Sequence, residues 1–130
     1  MAKHEESLQI AVCNYLKLQF PPVIFMSDVA SGMKLSIGQA VRAKKMRSSR
    51  GMPDLFIAEA KNNYHGLFIE LKKEGTKIFL KDGCTLVSDS HIIEQYEILK
   101  YLERKGYKAL FGIGFDRCKI IIDEYLNFRG

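Results

Sequence analysis

The sequence predicts a single α/β domain, spanning 1–130, in which helices flank one central mixed β-sheet. Segments with helical spacing of apolar residues alternate with short apolar runs that are typical of strands. The chain has 130 residues, of which 47% are apolar and 27% charged, a balance that suits one globular domain with its own core. No Gly/Ser-rich linker, repeat or low-complexity tract divides the sequence. Strands interspersed with helices in this way favour an α/β sandwich.

Helices are predicted where apolar residues recur three or four positions apart. In the first helix these residues include Leu8, Val12 and Leu16, and Pro21 follows its end. Ser88-Asp89-Ser90 offers caps for the third helix, and Asp116 is a possible cap for the last. The predicted helices span 4–18, 37–47, the residues from the caps to about 105, and 117–127.

Strands are predicted in short apolar runs that are bounded by turn residues. Asn62-Asn63 marks a turn between two such runs, Ser31-Gly32 marks an earlier turn, and Asp82-Gly83 favours a hairpin. The predicted strands span 23–26, 54–58, 67–72 and 107–113, with the hairpin strands at 78–80 and 85–87.

The charge distribution points to a polyanionic partner. The chain has 20 basic and 15 acidic residues, a net charge of +5, yet no acid occurs from Val29 to Pro53. Six basic residues lie in that acid-free segment, namely Lys34, Arg42, Lys44, Lys45, Arg47 and Arg50. Clustering of this kind favours nucleic acid, although a solvated basic helix explains it equally well.

Several functional classes are excluded by composition. No apolar run approaches the roughly 18 residues that a membrane span requires, and the N-terminus lacks a secretory apolar segment. Cys13, Cys84 and Cys118 are too few and too scattered for a disulfide framework or a zinc site. We therefore expect a reducing, cytoplasmic compartment and no membrane partner.

Polar residues interrupt an otherwise apolar strand at Glu70 and Lys72. Because side chains alternate along a strand, these two residues share one face with Phe68. An edge strand with one face in water would also explain them. Asp54 opens the preceding strand after Gly51-Met52-Pro53, where a strand-entry turn is the simpler interpretation. If the two strands pair, however, Asp54 and Glu70 converge and can share one cation such as Mg²⁺.

Two helices carry further candidate polar residues. On the first helix, Glu5 lies about 50° from the centre of the apolar stripe, whereas Glu6 lies on the opposite side. An exposed acid favoured by the helix dipole is the alternative for Glu5. Gln95 falls within the apolar face of the third helix, and a buried amide needs a hydrogen-bond partner. That partner would be Glu5, water, a substrate phosphate or a purely structural group.

Taken together, Gly51-Met52-Pro53-Asp54, Glu70-Leu71-Lys72 and Gln95 resemble the PD-(D/E)xK nuclease superfamily, and more specifically its virus-type replication-repair nuclease (VRR-NUC) family. Glu5-x-x-x-Gln9 is similar to the opening helix of that family, and Gly114-Phe115-Asp116 fits its usual ending. The resemblance covers nearly the whole chain. It implies a restriction-endonuclease-like core and Mg²⁺- or Mn²⁺-dependent cleavage of DNA.

The resemblance also implies roles for individual residues. Asp54 and Glu70 would hold the metal with the Leu71 carbonyl, and Glu5 would complete the ligand set. Lys72 would position the attacking water or stabilise charge on the phosphate. Gln95 would orient water or phosphate. The backbone of the DNA would meet Arg42, Lys44, Lys45, Arg47 and Arg50.

Short stand-alone members of this family are similar to Holliday-junction resolvases and act as homodimers. We therefore expect branched DNA, a four-way junction above all, and a second copy of the chain as partners. A virus or mobile element is a possible source. A flap- or nick-specific nuclease and a non-catalytic DNA-binding module are the alternatives, and the apolar side of the last helix and the segment 33–46 are candidate dimer surfaces.

Overall fold

The computed structural model of the chain describes residues 2–28, 35–48 and 52–129. Within these residues, four helices and four strands follow one another in the predicted order. The helices are α1 (Ala2–Gln19), α2 (Ile37–Lys45), α3 (Ser90–Arg104) and α4 (Phe115–Leu126). The strands are β1 (Phe25–Ser27), β2 (Leu55–Ile57), β3 (Leu67–Lys72) and β4 (Lys108–Ile113). The turn predicted at Ser31-Gly32 lies outside the described residues.

The four strands form one mixed sheet in the order β1-β2-β3-β4. β1 and β2 are antiparallel, as are β2 and β3, whereas β3 and β4 are parallel and joined through α3. The predicted α/β fold with a central mixed sheet is therefore confirmed. Because β3 lies between two other strands, the edge-strand explanation for Glu70 and Lys72 is wrong.

Helices cover both faces of the sheet. α1 and α4 pack against each other and against β3 on one face, where the main core lies. The apolar side of α4, including Ile121, Ile122 and Tyr125, is buried in that core, so packing on the sheet accounts for it and a dimer contact does not. On the other face, α3 packs mainly on β4 through Leu99 and Leu102.

Local sequence signals explain most element ends. Asp89 caps α3 by accepting hydrogen bonds from the His91 and Ile92 N–H groups. After α3, Gly106 has a φ of 99°, a conformation that a glycine adopts without strain. The prediction of Asp116 as a cap is wrong, because Gly114 occupies the N-cap of α4 and Asp116 lies in the first turn.

The hairpin predicted from Asp82-Gly83 forms only in part. Its arms meet in a single antiparallel bridge, Phe79 with Leu86, and they do not join the sheet. The turn itself is well ordered by Asp82, whose carboxylate accepts hydrogen bonds from Thr85 and from the Cys84 N–H. The Thr85 hydroxyl and these amides lower the pKa of Asp82 to about 2. Among the described residues, no helix combines the length and the apolar character needed to cross a membrane.

Candidate active site

The antiparallel pairing of β2 with β3 brings two carboxylates together. Leu55 pairs with Ile69, so Asp54, immediately before β2, lies beside Glu70 of β3. Their charges lie close enough to act on each other. Asp54 Oδ2 also accepts a hydrogen bond from the Leu71 N–H at 2.9 Å, which fixes the carboxylate at the end of the two-strand ladder. Asp54 and Glu70 thus converge as the strand pattern predicts.

Glu70 is buried, with only 4% of its surface exposed. Its Oε2 accepts a hydrogen bond from Gln95 Nε2 of α3 at 2.9 Å. Within the described residues, Glu70 Oε1 and Gln95 Oε1 are buried and have no hydrogen-bond partner. Unpartnered buried oxygens are costly and rare in folded proteins. The site therefore keeps acceptor capacity that the rest of the described fold does not use.

Burial raises the pKa of the Glu70 carboxyl well above its ordinary value. The nearby carboxylate of Asp54 raises the pKa of Glu70 further, because two negative charges close together repel each other. The positive charge of Lys72 acts in the opposite direction, and the charge of Glu5 adds a further increase. Two carboxylates in such surroundings favour a proton or a cation between them.

The oxygen donors of this pair fit Mg²⁺ or Mn²⁺. Mg²⁺ is commonly held by one or two carboxylates, with waters and substrate phosphates completing its coordination. The unpartnered Glu70 Oε1 and the raised pKa of Glu70 are the features expected of a carboxylate in a cation site. Among the described residues, no group of three or more His, Cys, Asp or Glu side chains is arranged to hold an ion. Glu5 is half-buried and near enough for its charge to act on Glu70, and its role as a further ligand, like that of the Leu71 carbonyl, stays a prediction.

Lys72 and Gln95 complete the polar part of this sheet face. Both are buried, with 8% and 9% of their surfaces exposed. Lys72 lies two residues after Glu70 on β3, so the two side chains leave the strand on the same side. Gln95 has Glu70 as its partner. Glu5, water, a substrate phosphate or a structural group were the partners that the sequence left open, and Glu70 was not among those named.

Gln9 links α1 to the end of β1. Its Nε2 donates to Ser27 Oγ and, at 2.9 Å, to the Asp28 carbonyl. Glu5 lies one turn earlier on the same helix. The amide of Gln9 therefore sets how the start of α1, with Glu5, approaches the sheet.

Sequence reasoning missed Asp28. Its N–H donates to the Asp54 carbonyl at 2.8 Å, which places Asp28 directly beside Asp54 at the end of β1. Its carboxylate forms an ion pair with Arg47, with Oδ2 and Nη2 3.7 Å apart. An acid that follows the strand predicted at 23–26 was a visible signal, but its use required knowing that β1 pairs with β2.

The described part of the acid-free basic segment, residues 35–48, lies on the surface. No residue of α2 is buried, and a capping box between Ser36 and Gln39 begins the helix. The ion pair with Asp28 ties the end of this segment to the sheet near Asp54. The exposed basic residues are Arg42, Lys44, Lys45 and Arg47, whereas Arg50 lies outside the described residues.

The site thus lies on a mixed sheet flanked by helices, where β3 carries the buried Glu70 and Lys72 beside Asp54, which immediately precedes β2. No family model and no curated protein matches the chain. Among solved structures, the chain is similar to a "VRR_NUC domain protein", with a TM-score of 0.66 and 25% identity over 95% of this chain and 88% of that one. The chain therefore has a VRR-NUC-like fold, and the resemblance read from the sequence is confirmed at the level of the fold.

Proposed function

We propose that this chain is a metal-dependent endonuclease that hydrolyses phosphodiester bonds in branched DNA, with resolution of Holliday junctions as the favoured activity. The observation that carries the proposal is the buried Glu70, with an oxygen that lacks a partner, beside Asp54 on a VRR-NUC-like fold. A module that only binds DNA has no use for paired acids, because carboxylates repel phosphates unless a cation lies between them.

Asp54 and Glu70 would hold Mg²⁺ or Mn²⁺, with the Leu71 carbonyl and Glu5 as further ligands. A bound divalent cation supplies activation of water and neutralisation of charge on the phosphate. Gln95 keeps the Glu70 carboxylate in one orientation through its hydrogen bond to Oε2. A ligand held in this way loses less freedom when the cation and the substrate bind.

Lys72 would act on the reacting phosphate or on the attacking water. It is 92% shielded from solvent, since only 8% of its surface is exposed. An ammonium group in such surroundings stabilises negative charge more strongly than an ammonium in water. Lys72 lies two residues after Glu70 on the same strand, so its charge acts on Glu70. Asp54 and Glu70 together form the acid pair of the site.

The basic segment would hold the DNA backbone. Contacts to phosphates carry no base code, so recognition would follow the shape of the DNA. A homodimer would match the two scissile sites of a four-way junction, because both have two-fold symmetry. The segment 33–46 would offer a surface for that contact. In its described part, 35–46, Ile37 and Met46 are 87% and 79% exposed.

The proposal is tested by incubating the purified protein with a four-way junction, a flap, a nicked duplex and a linear duplex, each with and without Mg²⁺. We expect the junction to be cut fastest, and only when Mg²⁺ is present. Faster cutting of the flap or the nick would favour the alternative nuclease activities. Absence of cutting, together with no heat of Mg²⁺ or Mn²⁺ binding by calorimetry, would leave a non-catalytic DNA-binding module.

Removing two charges from α2 tests the role of the basic segment. We expect the double variant Lys44→Ala/Lys45→Ala to weaken binding to every DNA form, because its contacts are to phosphates. The slope of log affinity against log salt should fall by about 1.8, since each lost phosphate contact contributes about 0.9. Fluorescence anisotropy over a salt series measures that slope.

Lys100→Ala/Lys119→Ala is the matched control for this variant. Both lysines are exposed and paired with acids of their own helices, Glu103 and Asp123. The control should keep the wild-type slope. Equal slopes for the two double variants would show that α2 does not contact the DNA.

A further inference from the structure

An apolar row crosses the sheet next to the acid pair. It consists of Met26, Phe56 and Phe68, which pair directly with one another across β1, β2 and β3. The next position across the sheet, Ala109 of β4, is buried under α3, with 4% exposed. At the other end, Met26 is 69% exposed. The helix layer thus covers one end of the row and leaves the end at β1 open.

The two rings of the apolar row are stacked. The centroids of Phe56 and Phe68 are 4.5 Å apart, with 29° between the ring planes. Tyr107 contacts both rings edge-on, at 6.2 and 5.1 Å, and holds the stack from the side. Phe68 occupies one side of Phe56, and Met26 lies on the other side, where the row is exposed. The row therefore ends at β1 in an exposed apolar surface that Met26 forms beside Phe56.

The apolar row lies on the same sheet face as the acid pair. Phe68 lies two residues before Glu70 within β3, and side chains two residues apart in a strand point the same way. Phe56 pairs directly with Phe68 and therefore lies on that face too. The separation along the strands is about 7 Å. A nucleotide next to a phosphate held at the acid pair would reach the row.

Positive charge lies at the same edge of the sheet. Asp28 is two residues after Met26, and its ion pair with Arg47 holds the basic segment there. The edge therefore combines groups that bind a DNA backbone with a surface that binds a flat apolar ring. Basic grooves lined with stacking side chains are typical of proteins that bind unpaired nucleotides.

We propose that the apolar row is a stacking site for an unpaired base of the DNA, adjacent to the scissile phosphate. This inference rests on the proposed nuclease function and adds how a branch would be recognised, namely by capture of a base that is unpaired where the strands part at the branch point. Bases inside a duplex stack on each other and cannot present a face to Phe56. An unpaired base at a branch exposes its π-face and can continue the Phe68–Phe56 stack.

The experiment uses forked DNA with 2-aminopurine at the unpaired nucleotide beside the branch, whose fluorescence reports stacking. Binding is measured in EDTA, so that the strand stays intact. We expect wild-type protein to change the fluorescence and to prefer the fork over a paired duplex. Phe56→Leu and Met26→Ser should lose the fluorescence change and weaken fork binding about tenfold, as expected for one lost base–aromatic stack. Duplex binding should not change, and Phe56→Tyr should restore the signal.

Phe79→Leu is the matched control, since Phe79 is 39% exposed and packs on Tyr96, away from the acid pair. Unchanged fork binding and fluorescence in Met26→Ser and Phe56→Leu, with cleavage intact, would overturn the stacking site alone. Loss of a dimer in these variants without a change in the fluorescence signal would assign the row to a second copy and would also overturn it. If the wild type bound and cut no DNA, the proposed function and the stacking site would both be wrong.

Discussion

Replacing Asp54 with alanine is expected to slow DNA cleavage by about a thousandfold or more, while DNA binding in the absence of metal stays largely intact. The reason is that Asp54 would supply one of two carboxylates to the cation, and charge stabilisation of the transition state by a metal site is worth several kcal/mol. Initial rates on a labelled junction, with binding measured separately in EDTA, give both quantities.

Asp54→Asn separates the effect of the carboxylate charge from the effect of the hydrogen bond that Asp54 accepts. The Asp54 carboxylate also accepts the Leu71 N–H, so alanine removes a hydrogen bond that closes the ladder between β2 and β3. Asparagine keeps an acceptor for that N–H and removes only the charge. We expect Asn to cut as slowly as Ala but to melt closer to the wild type. A cleavage rate near that of the wild type in Asp54→Asn would contradict the assignment of Asp54 as a metal ligand.

The parts of the site that follow from local pattern were predictable from the sequence. The alternation of side chains along β3 places Glu70 and Lys72 on one side, and that relation holds whichever strand is adjacent. Gln95 was visible because an amide interrupts the apolar face of α3. The pairing of Asp54 with Glu70 was conditional, because it needed β2 and β3 to be neighbours.

The parts that depend on strand order or on packing were not predictable. Asp28 gains its place beside Asp54 only because β1 lies next to β2, which no local pattern reveals. The same holds for the apolar row, whose members come from three strands. The arms of the hairpin around Asp82-Gly83 have the apolar pattern of strands, but they do not join the sheet and meet in one bridge.

Burial of Glu70 lowers the stability of the metal-free protein while it serves the proposed site. A carboxylate enclosed by the fold and placed beside a second acid is unfavourable when it is ionised, so the metal-free protein is less stable than a protein with a neutral group there. Natural active sites often carry such a cost. This cost supports the proposal that the acid pair holds a cation.

Replacing Glu70 with glutamine is accordingly expected to abolish cleavage and to stabilise the metal-free protein. The amide resembles the protonated acid, because its NH₂ donates to Asp54 while its carbonyl accepts from Gln95. At neutral pH we expect a gain of about 1 kcal/mol, or roughly 4 °C in melting temperature. Mg²⁺ should raise the melting temperature of the wild type but not that of the variant. Thermal unfolding followed by circular dichroism measures both shifts.

The pH dependence of this gain gives an independent check. The pKa of Glu70 is raised in the folded protein, so its contribution to stability is full below the ordinary carboxyl pKa and is lost as pH rises through the raised value. The advantage of Glu70→Gln should therefore vanish near about pH 4 and grow towards neutrality. Glu97→Gln, an exposed change on α3, should show no such trend. A variant less stable than the wild type at neutral pH would mean that Lys72 already balances the Glu70 charge, and the site would then be a structural ion pair without need of a metal.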